Sequence, residues 1–322
     1  MKSYIISFDV GGTRLKTGLL GIGGDLIESN VIAGSANDGA DVLYENLKSF
    51  ISKTIKKRGN PIGIGLSLSG GVDPEKGVVL LPGKYKNLEN YPLVPKLRTE
   101  FNVPVFANND GRLAMYAARY FGKAKDVDWA VVLTIGTGIG SGVLLDGHIL
   151  EDSHLQFGTQ IGHIIMDKSA DNFCLTGNYG TGETECSATA LTLQVRAAIQ
   201  RGIPSILSDK YFQNPFDIDF EKIIDACKQG DELCLRELNT WIKNLAILLI
   251  NTVHSYAPKR IILSGGATLA AEMYLEKLKE LVNKQVFYYS KGMPIEIVIA
   301  EDQEFTGVKG AAAYLLKRLK MI

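Results

Sequence analysis

Tyr4-Ile5-Ile6-Ser7-Phe8-Asp9-Val10-Gly11-Gly12-Thr13-Arg14-Leu15-Lys16-Thr17-Gly18 is the stretch that decides the fold. An apolar strand ends in Asp9, turns through Gly11 and Gly12, offers the Thr13 hydroxyl and re-enters a strand at Leu15. Paired glycines accept positive φ and leave no Cβ between backbone N–H groups and an anion. Consecutive N–H groups in such a turn form a concavity that binds phosphate. A carboxylate beside it, here Asp9, can hold Mg²⁺ directly or through water. The same residues would also suit a plain Gly-Gly hairpin, so the rest of the chain has to decide between the two.

Three further segments fit the phosphate reading. Trp129–Gly142 repeats the design, with a buried strand followed by Gly136, Thr137, Gly138 and Gly140, then a strand Val143–Leu145 closed by Asp146-Gly147. Arg260–Ala267 is a third strand running into paired glycines, Gly265 and Gly266, ahead of a helix. Ahead of both, Val103–Asp110 delivers Asn109 and Asp110 at the C-terminal end of an apolar strand. This combination resembles the sugar-kinase, Hsc70 and actin superfamily. More narrowly, it resembles the repressor, open-reading-frame and kinase (ROK) family, from about Tyr4 to Leu319. The resemblance implies an α/β protein with a two-lobed actin-like, ribonuclease H-like ATPase fold and an active site in the interdomain cleft. It places a small α/β domain at residues 1–118 plus a C-terminal helix about 303–322, and a large α/β domain at 119–302.

Composition agrees with a globular chain. Its 322 residues allow one large domain or two medium ones. Lys plus Arg equals Asp plus Glu at 35 each, so no polyanion-binding surface is indicated and nucleic acid is not an expected partner. No basic-then-apolar leader opens the chain. The longest apolar stretch, Leu245–Ile250, is far short of the roughly 20 residues of a membrane span. Four cysteines in a chain this long do not make a disulfide framework. These features predict a cytoplasmic protein with no membrane partner.

Strands alternate with helices along the chain, as expected of α/β architecture. Val42, Leu43, Leu47, Phe50, Ile51 and Ile55 form a helical stripe within Ala40–Arg58, ended by Gly59-Asn60-Pro61. Ile62–Leu68 reads as a strand entering Ser69-Gly70-Gly71-Val72-Asp73. Helices are predicted over Ala188–Arg201, Leu233–Tyr256, Leu269–Val282 and Gly307–Leu319, with a late strand at Ile295–Ala300.

The resemblance carries site residues over one at a time. Ile64–Asp73 is similar to the family's strand and Pro-Gly-x-Val-Asp loop, with Ser69 where proline is usual, and Gly70 would let a sugar lie against the backbone. Asn87 matches the loop asparagine given to the sugar. Asn109-Asp110 matches the start of the family's Asn-Asp-Ala-Asn motif, with Arg112 where the last Asn is usual. Asp110 is the implied general base, although Asp is also a favoured helix N-cap for Gly111–Phe121. Phe157–His163 is similar to Gly-x-x-Gly-Glu-x-Gly-His, with Gln160 where glutamate is expected, and His163 and Glu183 are implied sugar ligands. The nucleotide falls to Asp9, Gly11, Gly12, Thr13, Gly136, Thr137, Gly138, Gly265 and Gly266, with Asp9 placing Mg²⁺.

The family's zinc motif follows His163 as Cys-x-Cys-Gly-x-x-Gly-Cys-x-Glu. Aligned on Gly177, Gly180 and Glu183, this chain keeps Cys174 but has Thr176 and Thr181 at the other two positions. Neutral hydroxyls replace poorly the thiolates that closed structural zinc sites prefer, so structural zinc is expected to be absent. His148, His154 and His254 have no motif context.

The resemblance therefore implies a glucokinase-like carbohydrate kinase using ATP and Mg²⁺, with a small-molecule sugar as partner and a homodimeric assembly. The family's repressors carry a helix-turn-helix segment ahead of the phosphate motif, and here the first strand is expected at once. A non-catalytic sugar-binding or regulatory protein is the alternative, suggested by Gln160, Arg112 and the missing cysteines. A dinucleotide-binding oxidoreductase would need Gly-x-Gly-x-x-Gly between a strand and a helix; Gly136–Gly142 misses that spacing and leads into a strand.

Overall fold

The protein is described here by a computed structural model covering residues 3–12, 14–34, 36–81, 85–151, 159–174, 176–287, 294–302 and 304–322. Thr13 lies outside the described residues. By internal contacts the chain divides into two units. The first holds residues 1–128, 142–159 and 300–322, the second residues 129–141 and 160–299.

The first unit is built on a five-stranded sheet of order β3-β2-β1-β4-β7. β1 (Ile5–Val10), β2 (Arg14–Leu20) and β3 (Leu26–Ala33) form an antiparallel meander, the first turn being the Gly11-Gly12 segment. α1 (Ala40–Arg58) spans the predicted helix and stops at Gly59, whose φ of 81° suits only glycine well. β4 (Ile64–Leu68) then pairs parallel with β1. β5 (Gly71–Asp73) and β6 (Val78–Leu81) make a separate hairpin. α2 (Leu93–Phe101) leads to β7 (Val105–Asn109), parallel to β4, and β7 runs directly into α3 (Asp110–Phe121).

β8 (Ala130–Ile135) opens the second sheet and β9 (Ile139–Leu145) follows the second glycine turn, with β10 (His148–Ile149) antiparallel to it. β9 starts at Ile139, four residues before the strand expected at Val143, because Gly140 and Gly142 extend within it. A Cβ on Gly142 would come 2.6 Å from Met115 Cβ and 2.8 Å from the Gly111 carbonyl, so glycine lets β9 lie against the first turn of α3.

The helices that follow are α4 (Gly182–Cys186), α5 (Ala188–Gln200), α6 (Ser208–Gln213), α7 (Phe220–Lys228) and α8 (Glu232–Tyr256). β11 (Arg260–Ser264) pairs parallel with β8, and α9 (Leu275–Gln285) precedes β12 (Glu296–Ile299), which is parallel to β11. The full order of this sheet is β10-β9-β8-β11-β12.

The single helix predicted over Leu269–Val282 is instead a 3-10 segment, Gly266–Met273, followed by α9. Burial of Tyr274 makes the break. Its ring packs edge-on against Trp241 at 5.2 Å and its hydroxyl donates to the Ala267 carbonyl, which holds the backbone at φ −141°. Tertiary packing has overridden a helical pattern.

α10 (Thr306–Arg318) returns to the first unit and lies on its sheet beside α3. Small residues permit the close approach: a Cβ on Gly65 would meet the Ala311 carbonyl at 2.4 Å, and one on Gly310 the Leu113 carbonyl at 2.0 Å. α1 and α2 add Leu43, Leu47, Ile51 and Leu97 to a fully buried core with Phe8, Leu66 and Val105. No helix among the described residues is long and apolar enough to cross a membrane.

Candidate functional site

Register builds the first half of the site. Asp9 stands opposite Lys16 on β2 and Ser67 on β4, and Ser67 stands opposite Asn108 on β7. Cross-strand partners face the same side of a sheet, so Lys16, Asp9, Ser67 and Asn108 form one polar row. Ser67 Oγ donates to Asp9 Oδ1 at 3.0 Å, and Lys16 Nζ lies 4.0 Å from Asp9 Oδ2 while donating to the Glu304 carbonyl at 2.7 Å. The carboxylate also meets the first turn of α10, where a Cβ on Gly307 would come 2.5 Å from Asp9 Cγ. A helix N-terminus is a favourable neighbour for a carboxylate.

The sequence showed Asp9 but not the residues that hold it. Ser67 and Asn108 are polar residues on otherwise apolar strands, and that interruption was the available signal.

The row continues into α3. Arg112, 2% exposed, donates from a guanidinium N–H to Asn108 Oδ1 at 3.0 Å. The unexpected arginine is thus absorbed as a buried partner of the sheet. The N-cap of α3 is Asn109 and not Asp110: Asn109 Oδ1 accepts from the Gly111 and Arg112 N–H groups at 3.0 and 3.3 Å. Its amide nitrogen donates to the Gly70 carbonyl at 2.9 Å. The structure thereby brings Gly70, Asn109 and Asp110 together. Gly70 has φ 95°, so a side chain there would be strained. Asp110 occupies the first helical position, with Oδ1 accepting from the Gly111 N–H at 2.8 Å.

At the first turn, Gly11 N–H donates to the Arg14 carbonyl at 3.1 Å, and Tyr85 donates its hydroxyl to the Gly11 carbonyl at 3.3 Å. Tyr85 thus ties the loop bearing Asn87 to the turn. Asn87 itself adopts φ 59°, a left-handed conformation asparagine tolerates.

In the second unit, Gly265 with φ 91° lies against the end of β8, where a Cβ would come 2.5 Å from the Ile135 carbonyl. Around Gly266 there is open space. Gly136 N–H donates to the Gly138 carbonyl, and the Gly136 carbonyl accepts from Ala188 N–H at 2.9 Å, at the head of α5. Thr137 sits between the two glycines. Glu183 on α4 reaches this turn: its Oε2 accepts from the Ile139 N–H at 3.2 Å. Gln160 precedes a 3-10 turn, Ile161–His163, and its carbonyl accepts from the His163 N–H at 3.0 Å.

Hydroxyl, thiol and backbone groups bond to one another in the loop after His163. Cys174 Sγ pairs with Thr176 Oγ1 at 3.0 Å, and Thr181 caps α4 by accepting from Thr184 N–H. Cys186 is turned away and donates to the Gly182 carbonyl. Among the described residues no group of three or more His, Cys, Asp or Glu could hold a metal ion. Two hydroxyls in place of two thiolates do not fit a closed zinc site. Burial raises the Cys174 thiol, but hydrogen bonds from the Thr176 side chain and backbone, from His163 and from the Asn178 backbone outweigh it and bring it to about 7.

Asp9 does fit Mg²⁺, which takes hard oxygen ligands and needs only one or two protein carboxylates when it also binds substrate phosphate.

Comparison with known proteins gives the family and the fold. The ROK family matches residues 5–318, and the chain belongs to that family. Its fold is the actin-like α/β fold of the ROK sugar kinases. A glucokinase of Thermotoga maritima is 26% identical over 318 residues, covering 99% of both chains. A xylose repressor of Caldicellulosiruptor bescii is 27% identical over 88% of this chain and 71% of its own. The structure of a ROK glucokinase from Streptomyces griseus, in complex with glucose and AMPPNP, superposes with a TM-score of 0.84 at 20% identity, over 97% of this chain and 99% of that one.

Proposed function

We propose that the protein is an ATP-dependent carbohydrate kinase that transfers the γ-phosphoryl group to a sugar hydroxyl, the primary 6-OH of a hexose. The observation that carries this reading is Asp110 at the head of α3. Its neighbour Asn109 is the N-cap and already accepts from the Gly111 and Arg112 N–H groups, so the bond that Asp110 shares to Gly111 does not by itself call for an aspartate there. The end-to-end similarity to a glucokinase supports the same reaction.

Asp110 accepts the proton of the attacking hydroxyl as general base. The hydroxyl oxygen forms a bond to the γ-phosphorus as the bond from phosphorus to the bridging oxygen breaks, and ADP leaves. Catalysis of this kind is chiefly positioning and electrostatic stabilisation. Gly11, Gly12 and Thr13 in one turn, and Gly136 and Thr137 in the other, bind phosphate, with Gly138 completing the second turn and the nucleoside toward Gly265 and Gly266. Asp9 would hold Mg²⁺, directly or through water, and the ion would neutralise charge on the phosphates. Gly70, Asn87, Asn109, Gln160, His163 and Glu183 contact the sugar.

Similarity to a xylose repressor favours one alternative, a regulatory protein that binds sugar without turning it over. The test is ADP release from Mg·ATP across glucose, N-acetylhexosamines, fructose and β-glucosides, with Asp110→Ala as control. Sugar-dependent ADP release lost in the variant is the expected result. Sugar binding by calorimetry with no ADP release from any sugar would assign the regulatory role.

A further inference from the structure

Ile139 is gripped from both sides by the segments proposed to reach the sugar. Its N–H donates to Glu183 Oε2 at 3.2 Å. Its carbonyl faces Gly162, the residue before His163, where a Cβ would come 2.4 Å from that oxygen. At Gly138 a Cβ would lie 2.0 Å from the same Glu183 Oε2 and 2.8 Å from its carboxyl carbon. At Gly136, two residues earlier, a Cβ would meet nothing within 4 Å.

Neither Gly136 nor Gly138 adopts positive φ. What glycine supplies at 138 is therefore space and not a backbone conformation, and the Glu183 carboxylate fills that space. A phosphate oxygen would not share it, because like charges at such separations repel strongly.

We infer that Gly138 is a positioning residue for Glu183. Its missing side chain lets one carboxylate oxygen rest on the Ile139 N–H, and the other oxygen then accepts from the substrate's hydroxyls. This rests on the kinase reading above and divides the second glycine turn: Gly136 and Thr137 serve phosphate, while Gly138 serves the sugar. A carboxylate only accepts hydrogen bonds, so the group recognised at Glu183 is a hydroxyl donor. The two jobs share one backbone segment, since the carbonyl of Gly136 is also fixed by the head of α5.

The test compares Gly138→Ala, Gly136→Ala, Glu183→Ala and the double variant Gly138→Ala/Glu183→Ala. Sugar dissociation constants are measured by calorimetry with the sugar giving most ADP, and KM for ATP by turnover. Loss of a charged hydrogen bond predicts a rise of about tenfold or more in sugar Kd for Gly138→Ala. Its ATP KM should stay within about threefold, and Gly136→Ala should leave sugar Kd nearly unchanged. In the Glu183→Ala background the alanine fits the vacated space, so adding Gly138→Ala should change sugar Kd by less than about twofold, the non-additivity expected of contacting residues.

Additive effects, or an ATP KM that rises as much as sugar Kd, would overturn the inference. So would a Gly138→Ala protein that fails to fold and is not rescued by Glu183→Ala. Hydrogen exchange at the Ile139 amide, faster in Glu183→Ala, checks the contact without any sugar. A wild-type protein that protects this amide but binds no sugar refutes the kinase reading and, with it, the positioning role.

Discussion

The two glycine turns read alike in sequence, yet a different kind of carboxylate stands at each. Asp9 belongs to the strand that leads into its own turn. Register with Lys16 and Ser67, the 3.0 Å bond from Ser67 and the first turn of α10 fix it from several directions. Glu183 comes from a five-residue helix far along the chain and rests on one N–H at 3.2 Å. A sheet row is held by every neighbouring ladder bond, whereas a loop-borne group depends on few contacts and tolerates change.

The departures from the family pattern fit this contrast. Gln160, Thr176 and Thr181 lie in the loop-built region. The one charged departure in the sheet-built region, Arg112, is buried and bonded to Asn108. On this account Asp9 and Asp110 in the first region set turnover, whereas His163 and Glu183 in the second add to sugar affinity.

Asp110→Asn sharpens that division most. The amide keeps the shape but cannot take the proton, so turnover should fall by about 10²–10⁴-fold, with sugar Kd nearly unchanged by calorimetry. Retention of more than half of wild-type turnover would break the assignment.

Gly307→Ala comes next. The new Cβ would collide with the Asp9 carboxylate at 2.5 Å, and overpacking costs about 1–3 kcal/mol. If this falls on the reacting geometry, turnover drops about tenfold or more. Alanine is the better helix former, so Tm should change little; full activity would mean that Asp9 has room to move.

In the second region, His163→Ala should raise the sugar KM about tenfold, the worth of a hydrogen bond or two, with kcat nearly kept. An unchanged KM would remove this segment from the sugar site.

The smallest effect concerns Cys174. Its thiol, brought to about 7, is mostly thiolate above that pH, so its alkylation by iodoacetamide should rise through pH 7. An ordinary thiol titrates near 8.5. Burial pushes Cys186, Cys227 and Cys234 up, so they should stay unreactive in the folded protein. Mass spectrometry of labelled peptides reads both outcomes. Elemental analysis of protein purified without chelator should find no stoichiometric zinc.

Local chemistry was legible in the sequence and tertiary placement was not. Gly-Gly turns, the stripe in α1 and Asp110 at a strand end announce themselves within a few residues. Asn109 as cap was missed because both neighbours are good caps, and only the backbone at the β7–α3 junction distinguishes them. Gly307 under Asp9, and Gly138 under Glu183, join residues remote in sequence, so no local pattern reveals why glycine is needed. The break before α9 depends on Tyr274 meeting Trp241, which no periodicity encodes.

The most direct measurement is ³¹P NMR of the products formed from Mg·ATP and the panel sugars by wild-type and Asp110→Asn proteins. The account predicts a new phosphomonoester resonance, matched one-for-one by ADP, with wild-type protein and a sugar, and almost none with the variant. A sugar phosphate formed equally well by both proteins would contradict the role of Asp110. ADP appearing with inorganic phosphate and no sugar phosphate would contradict the kinase itself.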